Sequence, residues 1–147
     1  KIGFITGEDN EFCKYVKNSE RTSFALISSD IDDTESSKAL LRPDGKIEMF
    51  ITKRDLTLDE KANFVFGGEA IGFFKLSSDD SKKFIDHYKK FESRYVEILW
   101  EIPFTDFAKF IDLSVWSINQ GPGCFEIDTQ DDYEQALSIF KKYRDRF

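Results

Sequence analysis

The chain is short of the residues that build metal knuckles and disulfide frameworks, holding two cysteines and one histidine in 147 residues. Cys13 and Cys124 stand far apart with no C-x-x-C pairing, so neither a zinc knuckle nor a disulfide scaffold is indicated, and reduced structural thiols are the simplest reading. Basic residues are outnumbered too. The 21 Lys and Arg against 28 Asp and Glu leave a net charge of −7, which argues against nucleic acid or an anionic membrane as partner, because both need a basic surface. No apolar run approaches the roughly 18 residues of a membrane span, and the start carries no signal-peptide pattern; a cytoplasmic location is the default expectation. Aromatics, by contrast, are plentiful: 16 Phe, five Tyr and two Trp accompany a single Met. The core they imply is bulky. The length lies near the commonest domain size and predicts one soluble domain spanning 1–147.

Strand and helix patterns alternate. Strands are expected at 2–6, 22–28, 63–66, 70–76, 113–118 and 124–127, with Gly67-Gly68 separating the third from the fourth. A hairpin of 38–41 and 46–52 turns about Pro43-Asp44-Gly45, where Pro presets one turn angle and Gly tolerates the positive one. Polar residues 29–37 read as a loop, and 56–62 as a connector with one helical turn. Helices are expected at 9–18, at 80–93 behind a Ser77-Ser78-Asp79-Asp80 cap, and at 130–142 behind Thr129. Pro103 is expected to end whatever helix 95–101 makes, with Phe104, Phe107, Ala108 and Ile111 continuing as another. The alternation predicts an α/β layer structure, with strands 2–6 and 124–127 near the centre of a mixed sheet.

One stretch carries chemistry. In Cys124-Phe125-Glu126-Ile127-Asp128 the apolar Cys124, Phe125 and Ile127 read as a short buried strand, Glu126 and Asp128 alternate onto the face opposite Phe125 and Ile127, and Thr129 caps a helix whose first turn holds Asp131 and Asp132. A carboxylate at the carboxyl end of a strand, beside a helix N-terminus, is where α/β proteins put metals and phosphates. The competing role for Asp128 is that of an acid ahead of a cap, worth about 0.5–1 kcal/mol through the helix dipole.

The motif Gly-x-Gly-Cys-Phe-Glu-Ile-Asp-Thr-x-x-Asp-Tyr-x-x-Ala (121–136) resembles the closing motif of the sugar-phosphate and phosphocholine nucleotidyltransferases. Upstream, Arg42-Pro43-Asp44-Gly45-Lys46-Ile47 through Lys53 resembles that family's hairpin and lysine, and Gly68-Glu69-Ala70-Ile71-Gly72 through Ser77 resembles its "GE.iGi" strand. The three occur in the family's order, and the phosphocholine and phosphonate cytidylyltransferase branch is the nearer likeness. The resemblance implies a Rossmann-like mixed sheet with flanking helices, and transfer from a nucleoside triphosphate, CTP favoured, to a phosphorylated small molecule such as phosphocholine, a phosphonate or a sugar phosphate, with release of pyrophosphate. It implies Mg²⁺ held by Asp128 with Glu8 or Asp9, where strand 2–6 resembles the family's mid-chain acidic strand but carries Glu8 at the position of the family's Asp. It also implies Lys53 on the substrate phosphate and Glu69 on an ammonium or sugar hydroxyl.

The family's opening strand and Gly-rich triphosphate loop have no counterpart here. Gly67-Gly68 and Gly121-Pro122-Gly123 are too short to replace the loop. The expectation is therefore a partial domain lacking the N-terminal nucleotide-binding part; the alternative function is an inactive or acceptor-binding module. Bland roles compete with each assignment: Lys53 as a solvated strand end, Glu69 as a turn acid capping the next strand, His87 as a surface residue on a lysine-rich helix. Tyr95, Trp100 and Trp116 could cage a cation or stack on a base, but core packing is the leading reading for them.

Overall fold

The computed structural model describes residues 2–4, 21–118, 124–127 and 129–143. The chain divides into two compact units, a larger one of Ser19–Ser117 and a smaller one of Lys1–Asn18 with Ile118–Phe147.

In the larger unit, β2 (Ser23–Ile27), β3 (Lys38–Leu41), β4 (Ile47–Ile51), β5 (Val65–Lys75) and β6 (Ser114–Ile118) form a mixed five-stranded sheet in the order β4-β3-β5-β2-β6, with helices alongside. The α/β expectation holds. All five residues of β2 are buried, the run expected of a strand covered on both faces. The β3–β4 hairpin forms where the sequence places it, its turn closed by Arg42 N–H to the Lys46 carbonyl at 2.8 Å and Gly45 N–H to the Arg42 carbonyl at 2.9 Å. At one end the sheet curls until its outer strands meet: Ile47 N–H donates to the Leu113 carbonyl at 2.9 Å, bridging β4 to the residue before β6.

β5 corrects one expectation. Residues 63–66 and 70–76 are not two strands broken by glycine; one strand of 11 residues runs through Gly67-Gly68. The glycines absorb irregularity instead. Against β3 the register steps from Ala39↔Gly68 to Leu40↔Phe66, and against β2 from Phe24↔Phe74 to Leu26↔Ala70, so β5 carries the extra residues of two bulges. Gly68 has φ +119 and lies so close to β2 that a Cβ there would stand 2.4 Å from the Ile27 carbonyl oxygen. Gly72, at φ +74, faces open space, so its constraint is conformational alone.

Three helices cover the larger unit beside a short one. α1 (Leu58–Asn63) starts in a capping box between Thr57 and Glu60. α2 (Ser78–Lys90) starts on Ser77, whose hydroxyl accepts Asp80 N–H at 3.1 Å, and ends three residues before the position expected. The four-residue α3 (Glu92–Tyr95) follows, then α4 (Glu101–Phe107). Pro103 lies in the first turn of α4 rather than ending a helix before it, because the first four N–H groups of a helix have no intrahelical partner to lose. Phe104 and Phe107 from α4 enter a core with Phe24, Leu26, Ile47 and Phe50. Phe24 and Phe104 meet edge to face at 4.9 Å, and Phe84 stacks on Phe104 at 4.4 Å. Thr105 of α4 accepts Phe50 N–H at 2.9 Å, so the helix pairs an amide of edge strand β4.

In the smaller unit, β1 (Ile2–Phe4) and β7 (Cys124–Glu126) pair with each other in a two-stranded ladder, and α5 (Gln130–Tyr143) follows. This replaces the expected place near the centre of the mixed sheet, where β5 sits instead between β3 and β2. The pairing is antiparallel, Ile2↔Glu126 to Phe4↔Cys124. Thr129 caps as expected: its hydroxyl accepts Asp132 N–H at 3.2 Å, and Asp132 Oδ2 accepts Thr129 N–H at 2.9 Å.

Candidate functional site

The sheet register brings two of the five expected site residues to one end of the larger unit. Glu69 on β5 is level with Ile27, the last residue of β2, and with Lys38, the first of β3. Lys38 is in turn level with Ile51, the last residue of β4, and Lys53 follows two positions later. Because paired residues share a face, the side chains of Glu69, Lys38 and Ile51 lie on one side of the sheet. Glu69 is half-buried within a strand, which sets aside its reading as a turn acid. Lys53 is exposed and left-handed, with φ 55, where the chain turns sharply away from β4.

A buried lysine fastens this turn. Lys38 is fully buried, and its ammonium donates to the carbonyls of Asp33 and, at 3.3 Å, Arg54. The residue after Lys53 is thereby tied to the sheet. On its other side Arg54 grips Glu60 with both terminal nitrogens, at 2.9 and 2.6 Å, while Thr57 N–H and its hydroxyl donate to the same carboxylate at 2.8 and 3.0 Å. The Arg54 guanidinium is the leading cause holding the Glu60 carboxyl down at about 2, and the Thr57 bonds add to it, against the opposing effect of desolvation. Sequence reasoning missed Lys38, Arg54 and Glu60 as supports, although the spacing Thr57-x-x-Glu60 is a capping-box signature.

The metal expectation rests on residues elsewhere. Glu8, Asp9 and Asp128 lie outside the described residues. The described strands that precede them, β1 and β7, pair antiparallel. Among the described residues, no group of three or more His, Cys, Asp or Glu could hold a metal ion.

His87 is more than a surface residue. It is half-buried, and its Nε2 lies 2.9 Å from the Tyr95 hydroxyl, which donates to Asp106 Oδ2 at 2.9 Å. Tyr95 has one proton and gives it to Asp106, so His87 Nε2 carries hydrogen and donates to Tyr95. Burial pushes the His87 pKa below its ordinary value against the pull of Asp106, and burial with the Asp106 bond raises Tyr95 to about 12. Arg94 at 3.2 Å and Lys109 at 3.0 Å complete the surroundings of Asp106. The chain braces α2, α3 and α4 against one another. Trp100 stacks with Phe24 at 6.0 Å within the core, as its leading reading expects.

No protein-family model and no curated protein matches this chain. Among solved structures it resembles the CTP:phosphocholine cytidylyltransferase LicC of Streptococcus pneumoniae, with a TM-score of 0.58 and 19% identity over 82% of this chain and 48% of that one. The likeness shows a cytidylyltransferase-like fold, and the chain spans about half the length of that relative. No helix among the described residues is long and apolar enough to cross a membrane.

Proposed function

We propose that this chain is a nucleotidyltransferase-like domain that joins a nucleoside triphosphate, CTP favoured, to a phosphorylated small molecule. The observation that carries this reading is the register that sets Glu69 level with Lys38 and Ile51, just ahead of Lys53, in a fold like that of a cytidylyltransferase. An oxygen of the acceptor phosphate attacks the α-phosphorus; the new P–O bond forms as the bond to the β-phosphate oxygen breaks, and pyrophosphate leaves. Lys53 pairs with the acceptor phosphate, and Glu69 takes its ammonium or a sugar hydroxyl. Asp128 with Glu8 or Asp9 supplies hard oxygen donors of the kind Mg²⁺ prefers. The bound ion would neutralise charge on the triphosphate oxygens.

A second reading is favoured by one feature: the 147 residues contain no Gly-rich triphosphate loop. In that reading the chain binds the acceptor and does not turn it over. Pyrophosphate release is measured with Mg²⁺, each triphosphate, and phosphocholine, aminoethylphosphonate or sugar phosphates, and acceptor binding is measured by calorimetry. Turnover abolished by Asp128→Asn supports transfer. Acceptor binding without turnover, weakened by Lys53→Met, supports the second reading, and absence of binding to every acceptor overturns both.

A further inference from the structure

The opposite end of the same sheet holds a cleft of about 420 Å³, within the range of small-molecule sites. It opens where β2 begins: the Thr22 carbonyl accepts Ser114 N–H at 3.0 Å and the Thr22 hydroxyl accepts Ser77 N–H at 3.0 Å. Glu69, level with the last residue of β2, is at the far end of that strand.

Cations reach this cleft from three separate segments: Arg21 ahead of β2, Lys46 ahead of β4 and Lys83 on α2. Two acids also reach it, and both are neutralised, Asp80 by Lys83 at 3.1 Å and Asp112 by Arg42 at 2.8 Å. Lys46 differs. Its ammonium meets the Ser114 hydroxyl at 3.0 Å and pairs with no carboxylate among the described residues. The Ser114 hydroxyl accepts the Lys46 bond, which leaves its own proton to donate into the cleft, while the Ser77 hydroxyl accepts Asp80 N–H and bonds the Asp80 carboxylate. Thr22 is 2% exposed and held at both its donor and acceptor positions, so the wall between them is fixed. Phe110, 67% exposed, adds a flat apolar lip.

We propose that this cleft binds a small phosphate monoester, its phosphate against Lys46 and Ser114 and its organic body against Phe110. Cations arriving from three segments, Arg21, Lys46 and Lys83, match the nearly double negative charge of a phosphate monoester better than the single charge of a carboxylate. The site is separate from Lys53 and Glu69 and stands whether or not the chain transfers nucleotides.

The test is a titration of the ¹⁵N-labelled chain with phenyl phosphate at constant ionic strength, with inorganic phosphate and benzoate as parallel arms. Saturable shifts at the amides of Thr22, Lys46, Ser77 and Ser114 are expected, with phenyl phosphate binding more tightly than either comparison ligand. Lys46→Met weakens it about tenfold, the loss of one charge-assisted hydrogen bond. Lys82→Met, on α2 but outside the cleft, leaves it unchanged. Ser114→Ala serves as a second variant should Lys46→Met fail to fold. Shifts that do not saturate, equal weakening by Lys82→Met, or benzoate binding as tightly as phenyl phosphate overturn the proposal.

Discussion

Replacing Glu60 by Gln removes the charge that locks the turn after Lys53 while keeping the side chain's shape. A carboxyl held at about 2 against an ordinary 4.5 corresponds to at most roughly 3 kcal/mol of stability at neutral pH. The Glu60 side chain is 14% exposed but its Arg54 partner is 46% exposed, so solvent screening lowers the expected loss to about 1–2 kcal/mol. The sign follows from the depressed value. The contribution is fully present above 4.5, falls as the pH drops toward 2, and vanishes below it, because the unfolded chain binds the proton first. Urea unfolding of Glu60→Gln and the parent, from pH 7 down to pH 3, should show a gap that narrows across this range. A gap independent of pH would show that the amide's packing, not the Arg54 clamp, sets the loss. No gap at pH 7 would show that the clamp contributes nothing.

Two further outcomes are expected. Gly68→Ala costs at least about 3 kcal/mol, because its methyl would meet the Ile27 carbonyl, whereas Gly72→Ala costs about 1–2 kcal/mol from backbone strain alone; equal losses by urea unfolding would refute the distinction. His87 titrates below 6.5 by NMR, and its part of the stability, present above 6.5, is lost as the pH falls through the folded value. Titration at or above 6.5 would refute its burial as the dominant influence.

Local signals made much of this fold legible. Pro43-Asp44-Gly45 announced the hairpin, Ser77 and Thr129 announced their helices, and the run 22–28 announced a strand, found at Ser23–Ile27. The errors share a cause: the deciding partner was distant in sequence. Gly67-Gly68 reads as a break until Ile27 is known to press on it; Pro103 is the exception, a local misreading, because the start of α4 just ahead of it carries no side-chain cap. The pairing of β1 with β7 outside the five-stranded sheet is encoded in neither three-residue strand. Motif resemblance singled out Lys53 and Glu69, and the register gives them a common end of the sheet. Lys38 was not, since nothing in Lys38-Ala39-Leu40-Leu41 distinguishes a buried lysine from a solvated one. Nor could a separation of eight positions from His87 to Tyr95 reveal a hydrogen bond made across the break after α2.

The position of β5 between β2 and β3 also sets an order of events during synthesis. The hairpin of β3 and β4 is local and can close as soon as it emerges. β2 cannot; its apolar Phe24, Ala25, Leu26 and Ile27 leave the ribosome well before β5, the central strand that pairs with them. Until residue 75 is out, that segment is an unpaired sticky ribbon, the kind of surface that chaperones hold and that neighbouring nascent chains capture. Slowing translation between 28 and 65 would therefore lengthen the exposure of β2 and lower the soluble yield.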